Sequence, residues 1–278
     1  MDKNTVENLS RGSHGAILMI DSGVGGLSVY DEVRKLLPDQ QYIYVFDDEG
    51  FPYGEKSEHY VIGRIVSLTE RIVRHHAIDL VIIACNTAST VALTAMREKF
   101  IFPVIGVVPA IKPAASLTRN GVLGLLATKG TVNRDYTRQL IRQFAPFCQL
   151  EMLGSSDLVR LAEDKLLGTP PDPVVLKQIL APWLELVKPP DTIVLGCTHF
   201  PLLSDELSAV LPTGTVLIDS GQAIAKRALW LLENTPSQQP QKVVRASHIA
   251  YCPGYTPKSQ ALLPILRRYG FVDLQKLV

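Results

Sequence analysis

The chain has 278 residues, enough for one large or two medium domains, and 46% of them are hydrophobic, which allows substantial cores. A formal net charge of +1 and the lack of any apolar run near roughly 18 residues argue against nucleic acid or a membrane as partner. Four cysteines without close spacing indicate a reducing, cytoplasmic compartment rather than a disulfide framework.

The first predicted elements follow an N-terminal extension. Residues 1–15 lack the apolar segment of a secretory signal, so we interpret them as an extension outside the fold. The stretch AILMIDSGVGGLSVYDEVRKLLP (16–38) predicts a strand, a glycine-containing turn and an amphipathic helix. The same pattern recurs in GVLGLLATKGTVNRDYTRQLIRQF (121–144). This recurrence is the first indication of an internal repeat.

A cysteine follows the next predicted strand. IDLVIIA (78–84) is short, rich in branched aliphatic residues and free of alternation, which is typical of a strand covered on both faces. Cys85 comes at its carboxyl end, and a predicted helix begins directly afterwards. Open α/β sheets bind ligands outside the carboxyl ends of their strands, next to helix amides that attract anions. A single buried cysteine at such a place would usually be a packing residue.

The arrangement occurs a second time. In DTIVLGCTHFPLL (191–203), an aliphatic run is again followed by a cysteine, which is Cys197, and then by a predicted helix. Val107 lies as far beyond Cys85 as Asp219 lies beyond Cys197. The chain is therefore predicted to form two related α/β halves, each with one thiol at an equivalent strand end facing a shared cleft. Two further cysteines lack this context in the sequence and are interpreted as structural, namely Cys148 and Cys252.

Proline-containing stretches near 107–116 and 218–227 predict the crossings between the halves. The first α/β domain would comprise residues 16–112 and 224–278 and carry Cys85, and the second would comprise 113–223 and carry Cys197. The C-terminal elements and loops are predicted as a helix at 223–233, an alternating strand at 242–251, a helix at 256–269, and surface loops at 168–173 and 234–241.

Four motifs occur in a recognisable order. DSGVGGLSV (21–29), PYGEKS (52–57), ACNTAS (84–89) and GCTHFP (196–201) resemble the glutamate racemases of the aspartate/glutamate racemase superfamily, over about residues 16–275. The resemblance implies two pseudosymmetric α/β domains with mostly parallel sheets and the active site between them. It also implies a cytoplasmic enzyme without cofactor or metal that interconverts L- and D-glutamate and supplies D-glutamate for peptidoglycan. The partners implied are the small-molecule substrate glutamate and a cell-wall precursor as effector, with neither nucleic acid nor membrane, in a monomer or homodimer.

Inverting an α-carbon explains the need for two thiols. A proton must leave one face and another must arrive on the opposite face, so two acid/base groups must flank the substrate. One cysteine must therefore be a thiolate while the other stays protonated, and the helix starts beside both are expected to stabilise negative charge. By resemblance, Cys85 is the base toward D-glutamate and Cys197 the base toward L-glutamate.

The resemblance also implies supporting residues by matching positions. Asp21 would take or orient a proton, His199 would tune the second thiol, and Glu163 would pair with that histidine. Three residues of the substrate-binding set given below lie at the two predicted helix starts. Side chains and backbone amides at such a place can bind a carboxylate without an arginine. The family often has asparagine in place of Asp48, a difference that we expect to be peripheral. The implied substrate-binding residues are Asp21, Ser22, Tyr53, Gly54, Asn86, Thr87, Thr198 and His199.

Other functions fit the sequence less well. A dinucleotide site would require G-x-G-x-x-G, but Ser28 takes the third glycine's place, and a redox dithiol would require C-x-x-C, which is absent. A zinc site could use Cys85, Cys197 and His199, but these residues would be an irregular set of ligands. Lys129 in ATKGT is the one lysine near a predicted strand end that suggests a Schiff base. Racemisation of another amino acid such as aspartate, or a noncatalytic regulatory role on this fold, remain the alternatives.

Overall fold

The computed structural model describes residues 15–235 and 247–278. The predicted N-terminal extension, most of the predicted loop at 234–241 and the first part of the predicted strand at 242–251 lie outside these residues. Within the described ranges, no helix is both long and apolar enough to cross a membrane.

The larger sheet has six parallel strands in the order β10-β9-β2-β1-β3-β4. Its central strands are buried along their whole length, because helices cover both faces. The strands are β1 Ala16–Asp21, β2 Tyr42–Phe46, β3 Ile78–Ile83, β4 Val104–Gly106, β9 His248–Cys252 and β10 Phe271–Lys276.

The smaller sheet has four parallel strands in the order β6-β5-β7-β8. They are β5 Val122–Ala127, β6 Gln149–Gly154, β7 Thr192–Gly196 and β8 Val216–Ile218. This order repeats β2-β1-β3-β4 of the larger sheet, so the predicted fold of two pseudosymmetric, parallel α/β halves is confirmed. The limits assigned to the two domains stay predictions.

Helices pack on both sheets with their apolar faces inward. The first helix shows the pattern: Leu27, Tyr30 and Val33 are buried, and basic residues in the last turn complement the helix dipole. The helices are α1 Leu27–Leu36, α2 Glu58–Val73, α3 Asn86–Lys99, α4 Ile111–Leu117, α5 Lys129–Val132, α6 Asp135–Phe144, α7 Asp157–Leu166, α8 Pro173–Leu184, α9 Ser204–Val210, α10 Gly221–Asn234, α11 Pro257–Gln260 and α12 Leu263–Arg268.

The C-terminal part departs from the sequence prediction. The single helix predicted at 256–269 is two short helices, α11 and α12, each with a proline in its first turn; a proline favours a helix start and cannot donate to the preceding turn. Strand β10, which the prediction lacked, follows them and buries Phe271 and Leu274 on its inner face. Cys252 ends β9, so it does occupy a strand end, where it is fully buried in the core.

Candidate active site

The first thiol lies where the sequence placed it, just after β3. Cys85 precedes α3 and is 6% exposed. Its Sγ lies 4.0 Å from Oγ of Ser22, which follows β1. Since β1 and β3 are neighbouring parallel strands, their carboxyl ends bring these two side chains together.

Asp21 is the last residue of β1 and is fully buried. Its carboxylate accepts the backbone N–H groups of Ser22 at 2.6 Å and Gly26 at 2.7 Å. It also accepts the hydroxyl of Thr198 at 3.4 Å, a contact that joins the two halves. Burial raises the pKa of Asp21, although His199 and the two amides act in the opposite direction. Asp21 therefore connects the surroundings of both thiols.

Burial dominates the electrostatics of the first thiol. It raises the pKa of Cys85 well above the usual value for a thiol, and the negative charge of Asp21 raises it further. The amide of Ala88 lowers it, as expected at a helix start, but does not offset the burial. Cys85 is therefore a protonated thiol at neutral pH, because the effect of burial exceeds the expected stabilisation of its thiolate at the helix start.

The second thiol has a different set of neighbours. Cys197 directly follows β7, is 6% exposed, and lies 3.8 Å from Nδ1 of His199. The other ring nitrogen, Nε2, lies 3.4 Å from Oε1 of Glu163 on α7. Glu163 is 5% exposed, so the whole Cys197–His199–Glu163 row is shielded from water.

The charges in this row are coupled. Burial alone would lower the pKa of His199, but its contacts with Cys197 and Glu163 raise it to about 10. Burial likewise acts to raise the pKa of Glu163, yet His199 and Lys258 lower it. At neutral pH, an imidazolium therefore lies beside Cys197, which is the neighbour that favours a thiolate. The site thus pairs one neutral thiol with one cation-supported thiol.

Two glycines in DSGVGG make this row possible. A Cβ at Gly23 would lie 2.5 Å from Oε1 of Glu163, and a Cβ at Gly25 would lie under 3.0 Å from three ring atoms of His199. No side chain fits at either position while the two halves are this close. The glycine turn of the first half is therefore the surface against which the His199–Glu163 pair of the second half packs.

Three of the predicted substrate-binding residues, Asn86, Gly54 and Tyr53, differ in what their atoms contact. Nδ2 of Asn86 is buried and has no hydrogen-bond partner among the described residues, so it is a donor free for a ligand. Gly54 lies against the second half, where its Cβ would be 2.9 Å from Cβ of Thr128. The Tyr53 hydroxyl, in contrast, donates to Asp47 at 2.7 Å, so it holds its own loop.

Sequence reasoning did not identify two hydroxyl groups in this region. Oγ1 of Thr87 lies 3.0 Å from that of Thr128 and 3.2 Å from that of Thr131, across the boundary between the halves. The internal repeat could have found Thr128, because it follows β5 as Ser22 follows β1. Lys129, the one lysine that suggested a Schiff base, instead lines a separate cavity with Ser155 and Arg160.

No group of three or more His, Cys, Asp and Glu side chains in residues 15–235 and 247–278 is arranged to hold a metal ion. The irregular zinc set that the sequence left open is therefore not assembled in this part of the chain. The geometry instead forms two hydrogen-bonded groups, which are related by the electrostatic effects of His199 on Asp21 and of Cys197 on Cys85. The first group is Cys85, Ser22, Asp21 and Thr198, and the second is Cys197, His199 and Glu163.

Two parallel α/β halves, each with a buried cysteine at an equivalent strand end, define the class of protein, a pseudosymmetric α/β protein with one thiol per half. The model of the Asp/Glu/Hydantoin racemase family matches residues 17–228. The chain belongs to this family.

Two of its relatives are glutamate racemases. It is 56% identical over 271 residues to that of Photorhabdus laumondii, covering 98% of this chain and 93% of the relative. It is 58% identical over 261 residues to that of Escherichia coli O139:H28, covering 94% and 90%.

Two solved structures similar to this chain are also glutamate racemases. Escherichia coli glutamate racemase in complex with L-glutamate and the activator UDP-MurNAc-ala has a TM-score of 0.92 at 57% identity, covering 95% of this chain and 98% of that one. Glutamate racemase isoform RacE1 from Bacillus anthracis has a TM-score of 0.79 at 26% identity, covering 96% and 98%.

Proposed function

We propose that the protein interconverts L- and D-glutamate by transferring protons at the α-carbon between two thiols, Cys85 and Cys197. The observation that carries the proposal is their buried placement at equivalent strand ends, close enough for the charge of Cys197 to act on Cys85, in a chain 56–58% identical to glutamate racemases. The chemistry requires an acid and a base on opposite faces of the substrate, and the two halves supply one thiol each.

In the direction from L-glutamate, the Cys197 thiolate, supported by the His199 imidazolium, removes the α-proton and leaves a carbanion. The Cys85 thiol then donates its proton to the opposite face, which gives D-glutamate and a Cys85 thiolate. The reverse reaction uses the same groups in exchanged roles. In this scheme, the imidazolium of His199 supports the base, and the raised pKa of Cys85 keeps the acid protonated.

Substrate binding would use neutral donors. The free amide of Asn86 and the hydroxyls of Thr87 and Thr198 can bind a carboxylate, and Gly54 lets backbone approach the ligand. Ser22 and Asp21 would contact the ammonium group beside the first thiol. Tyr53 would contribute through its backbone, since its hydroxyl is bound to Asp47.

The physiological setting is proposed on the same basis. The relative solved with L-glutamate also binds the activator UDP-MurNAc-ala, a cell-wall precursor. We therefore infer that this protein works in the cytoplasm, supplies D-glutamate for peptidoglycan, and responds to such a precursor. Adding UDP-MurNAc-ala to the assay below should raise the racemisation rate, and an unchanged rate would remove the effector from the proposal.

A racemisation assay by circular dichroism tests the activity. L-glutamate and D-glutamate should each lose optical activity to the same end point without added cofactor and after dialysis against a chelator. L-aspartate should react at least about a hundredfold more slowly, because a shorter side chain loses contacts made in the transition state. Faster turnover of aspartate would favour the alternative substrate, and no turnover of either would favour a noncatalytic role.

Heavy water tests the two-thiol mechanism. With pure L-glutamate and early sampling, D-glutamate should carry deuterium at the α-carbon, because the donating thiol has exchanged with solvent. The remaining L-glutamate should hold little label. Substantial early label in unreacted L-glutamate, or much protium carried into D-glutamate, would contradict separate acid and base groups.

A further inference from the structure

One lysine of the C-terminal part reaches the charged row of the second half. Lys258, on α11, places Nζ 3.3 Å from Oε2 of Glu163 and 5.5 Å from the centre of the Phe51 ring. That ring lies with its centre 6.0 Å from the His199 ring. The ammonium group, the aromatic ring, the carboxylate and the imidazole therefore form one cluster beside Cys197.

We propose that Lys258 is a positioning residue for the second thiol, because it holds one oxygen of Glu163 and thereby keeps the other directed at His199. The two oxygens of Glu163 are divided in this way: Oε1 lies 3.4 Å from His199 and Oε2 lies 3.3 Å from Lys258. A carboxylate that is 95% buried needs partners for both oxygens. The inference deepens the proposed racemisation and rests on it, since Cys197 is the thiol affected.

The segment that carries Lys258 is fixed, although the lysine side chain itself is 62% exposed. Asp48, just after β2, accepts the backbone N–H of Gly254 at 2.7 Å and the hydroxyl of Ser259 at 2.7 Å. Ser259 also donates its backbone N–H to Thr256, which caps α11. The ammonium group is therefore held near Glu163 from the first half, while Glu163 belongs to α7 of the second half.

Removing this cation has a predictable direction. The charge of Lys258 lowers the pKa of Glu163, so without it the carboxylate would take up a proton at a higher pH. The same loss leaves more negative charge facing His199, which would then keep its proton to a higher pH. Both limbs of a pH–rate profile should therefore move upward together. The other titratable groups that face this pair are Cys197, Asp21 on β1 and Tyr44 on β2.

The test compares three variants over a range of pH in both directions of reaction. Lys258→Met removes the charge and keeps the apolar stem, Lys258→Arg keeps the charge, and Lys177→Met removes a charge from an exposed site on α8. For Lys258→Met, both limbs should move up by about half a pH unit, as expected for a partly exposed ion pair. The kcat on the acid limb should fall about threefold with KM unchanged, because the proposed role of Lys258 is exerted through Glu163 and His199.

Lys258→Arg should restore the wild-type profile, and Lys177→Met should not alter it. The proposal would be overturned if the limbs of the pH–rate profile did not move in Lys258→Met or if Lys258→Arg did not restore them. It would also be overturned if Lys177→Met shifted them equally. Alkylation of Cys197 by iodoacetamide, followed by mass spectrometry across pH, supplies a readout without substrate. Its midpoint should also rise in Lys258→Met. An inactive wild-type protein would overturn the racemisation alone, and an unmoved alkylation midpoint would overturn the role of Lys258 alone.

Discussion

Cys85 and Cys197 occupy equivalent places after β3 and β7, yet the charges beside them are opposite. Asp21 adds negative charge near the first thiol, and His199 adds positive charge near the second. A two-base racemase must begin each turnover with one thiol and one thiolate. The two thiols therefore occupy equivalent places in the fold but have opposite charges beside them, as the proposed chemistry requires.

Replacing either thiol should stop the reaction in both directions. Cys85→Ser and Cys197→Ser should each reduce racemisation by about a hundredfold to ten-thousandfold, because every turnover uses both groups and a serine hydroxyl is a far weaker base. Initial rates by circular dichroism from each enantiomer provide the measurement. Cys148→Ser, at a half-buried thiol away from the cleft, is the matched control and should retain wild-type rates. A site variant that is as active as this control would contradict the mechanism.

At the scale of elements, the glycine turn after β1 shows how one half limits the other. In Gly25→Ala, the new Cβ would collide with the His199 ring, so the ring or the turn must move. We expect a loss of about 1–3 kcal/mol in the free energy of unfolding by urea, together with a fall in kcat of at least about tenfold. Gly63→Ala, in α2 with no atom within 4 Å of the new Cβ, should instead gain up to about 1 kcal/mol. Equal behaviour of the two variants would show that the contact is unimportant.

The turn at Tyr53–Glu55 is anchored by the buried carboxylate of Asp47. Asp47 is fully buried, receives the Tyr53 hydroxyl at 2.7 Å and is paired with Arg64. Tyr53→Phe should cost about 1 kcal/mol of stability and raise KM for glutamate several-fold with kcat nearly unchanged, because the turn carrying Gly54 loses an anchor. Tyr60→Phe, at a more exposed tyrosine on α2, is the control in the same kinetic assay. A change confined to kcat would rule out this anchoring role.

The strands and thiols could be predicted because their causes are local. A fully buried parallel strand must be a short aliphatic run, so the positions of Cys85 and Cys197 followed from the residues before them. The contact of Lys258 with Glu163 could not be predicted, since it depends on how α11 and α7 meet across the boundary between halves. The pairing of β10 with β9 was missed for a different reason, because the buried positions of this six-residue edge strand, Phe271 and Leu274, do not alternate with exposed ones.

At the scale of the whole molecule, the internal repeat includes a contact that holds the residues just before the first strand of each half. An acid lies at the start of the third strand of each half, Asp79 within β3 and Asp191 just before β7. Asp79 accepts the backbone N–H of Gly15 at 2.6 Å, and Asp191 accepts those of Arg119 and Asn120 at 2.8 Å each. In both halves, this acid therefore holds the residues just before the first strand, so the repeat includes this contact as well as the strand order.

The two halves also meet directly at the cleft. The hydroxyl of Ser28 on α1 donates to the backbone carbonyl of Thr198 at 2.8 Å. Thr198 in turn donates its side-chain hydroxyl to Asp21. Because these contacts include residues of the site, the stability of the whole chain and the ionisation of the site are linked, and pH should report on both.

The sign of that linkage follows from His199. Its pKa is raised to about 10 in the folded protein, against 6.5 for an unperturbed histidine, so its stabilising contribution is complete below about pH 6.5 and is lost as pH rises toward 10. Cys85 acts in the same direction above pH 9, because the unfolded thiol ionises there while the buried one does not. The free energy of unfolding should therefore fall by a few kcal/mol between pH 7 and pH 10.

Urea unfolding of wild type and His199→Gln, in the presence of a thiol reductant, tests this linkage. The variant lacks the raised histidine, so it should be less stable than wild type at pH 7 and nearly equal to it at pH 10. His75→Gln, at an exposed histidine just after α2, should remain parallel to wild type at every pH. The decisive quantity is the difference in the free energy of unfolding between wild type and His199→Gln. A difference that stays constant from pH 7 to pH 10 would mean that His199 is not held protonated by Cys197 and Glu163 in the folded protein.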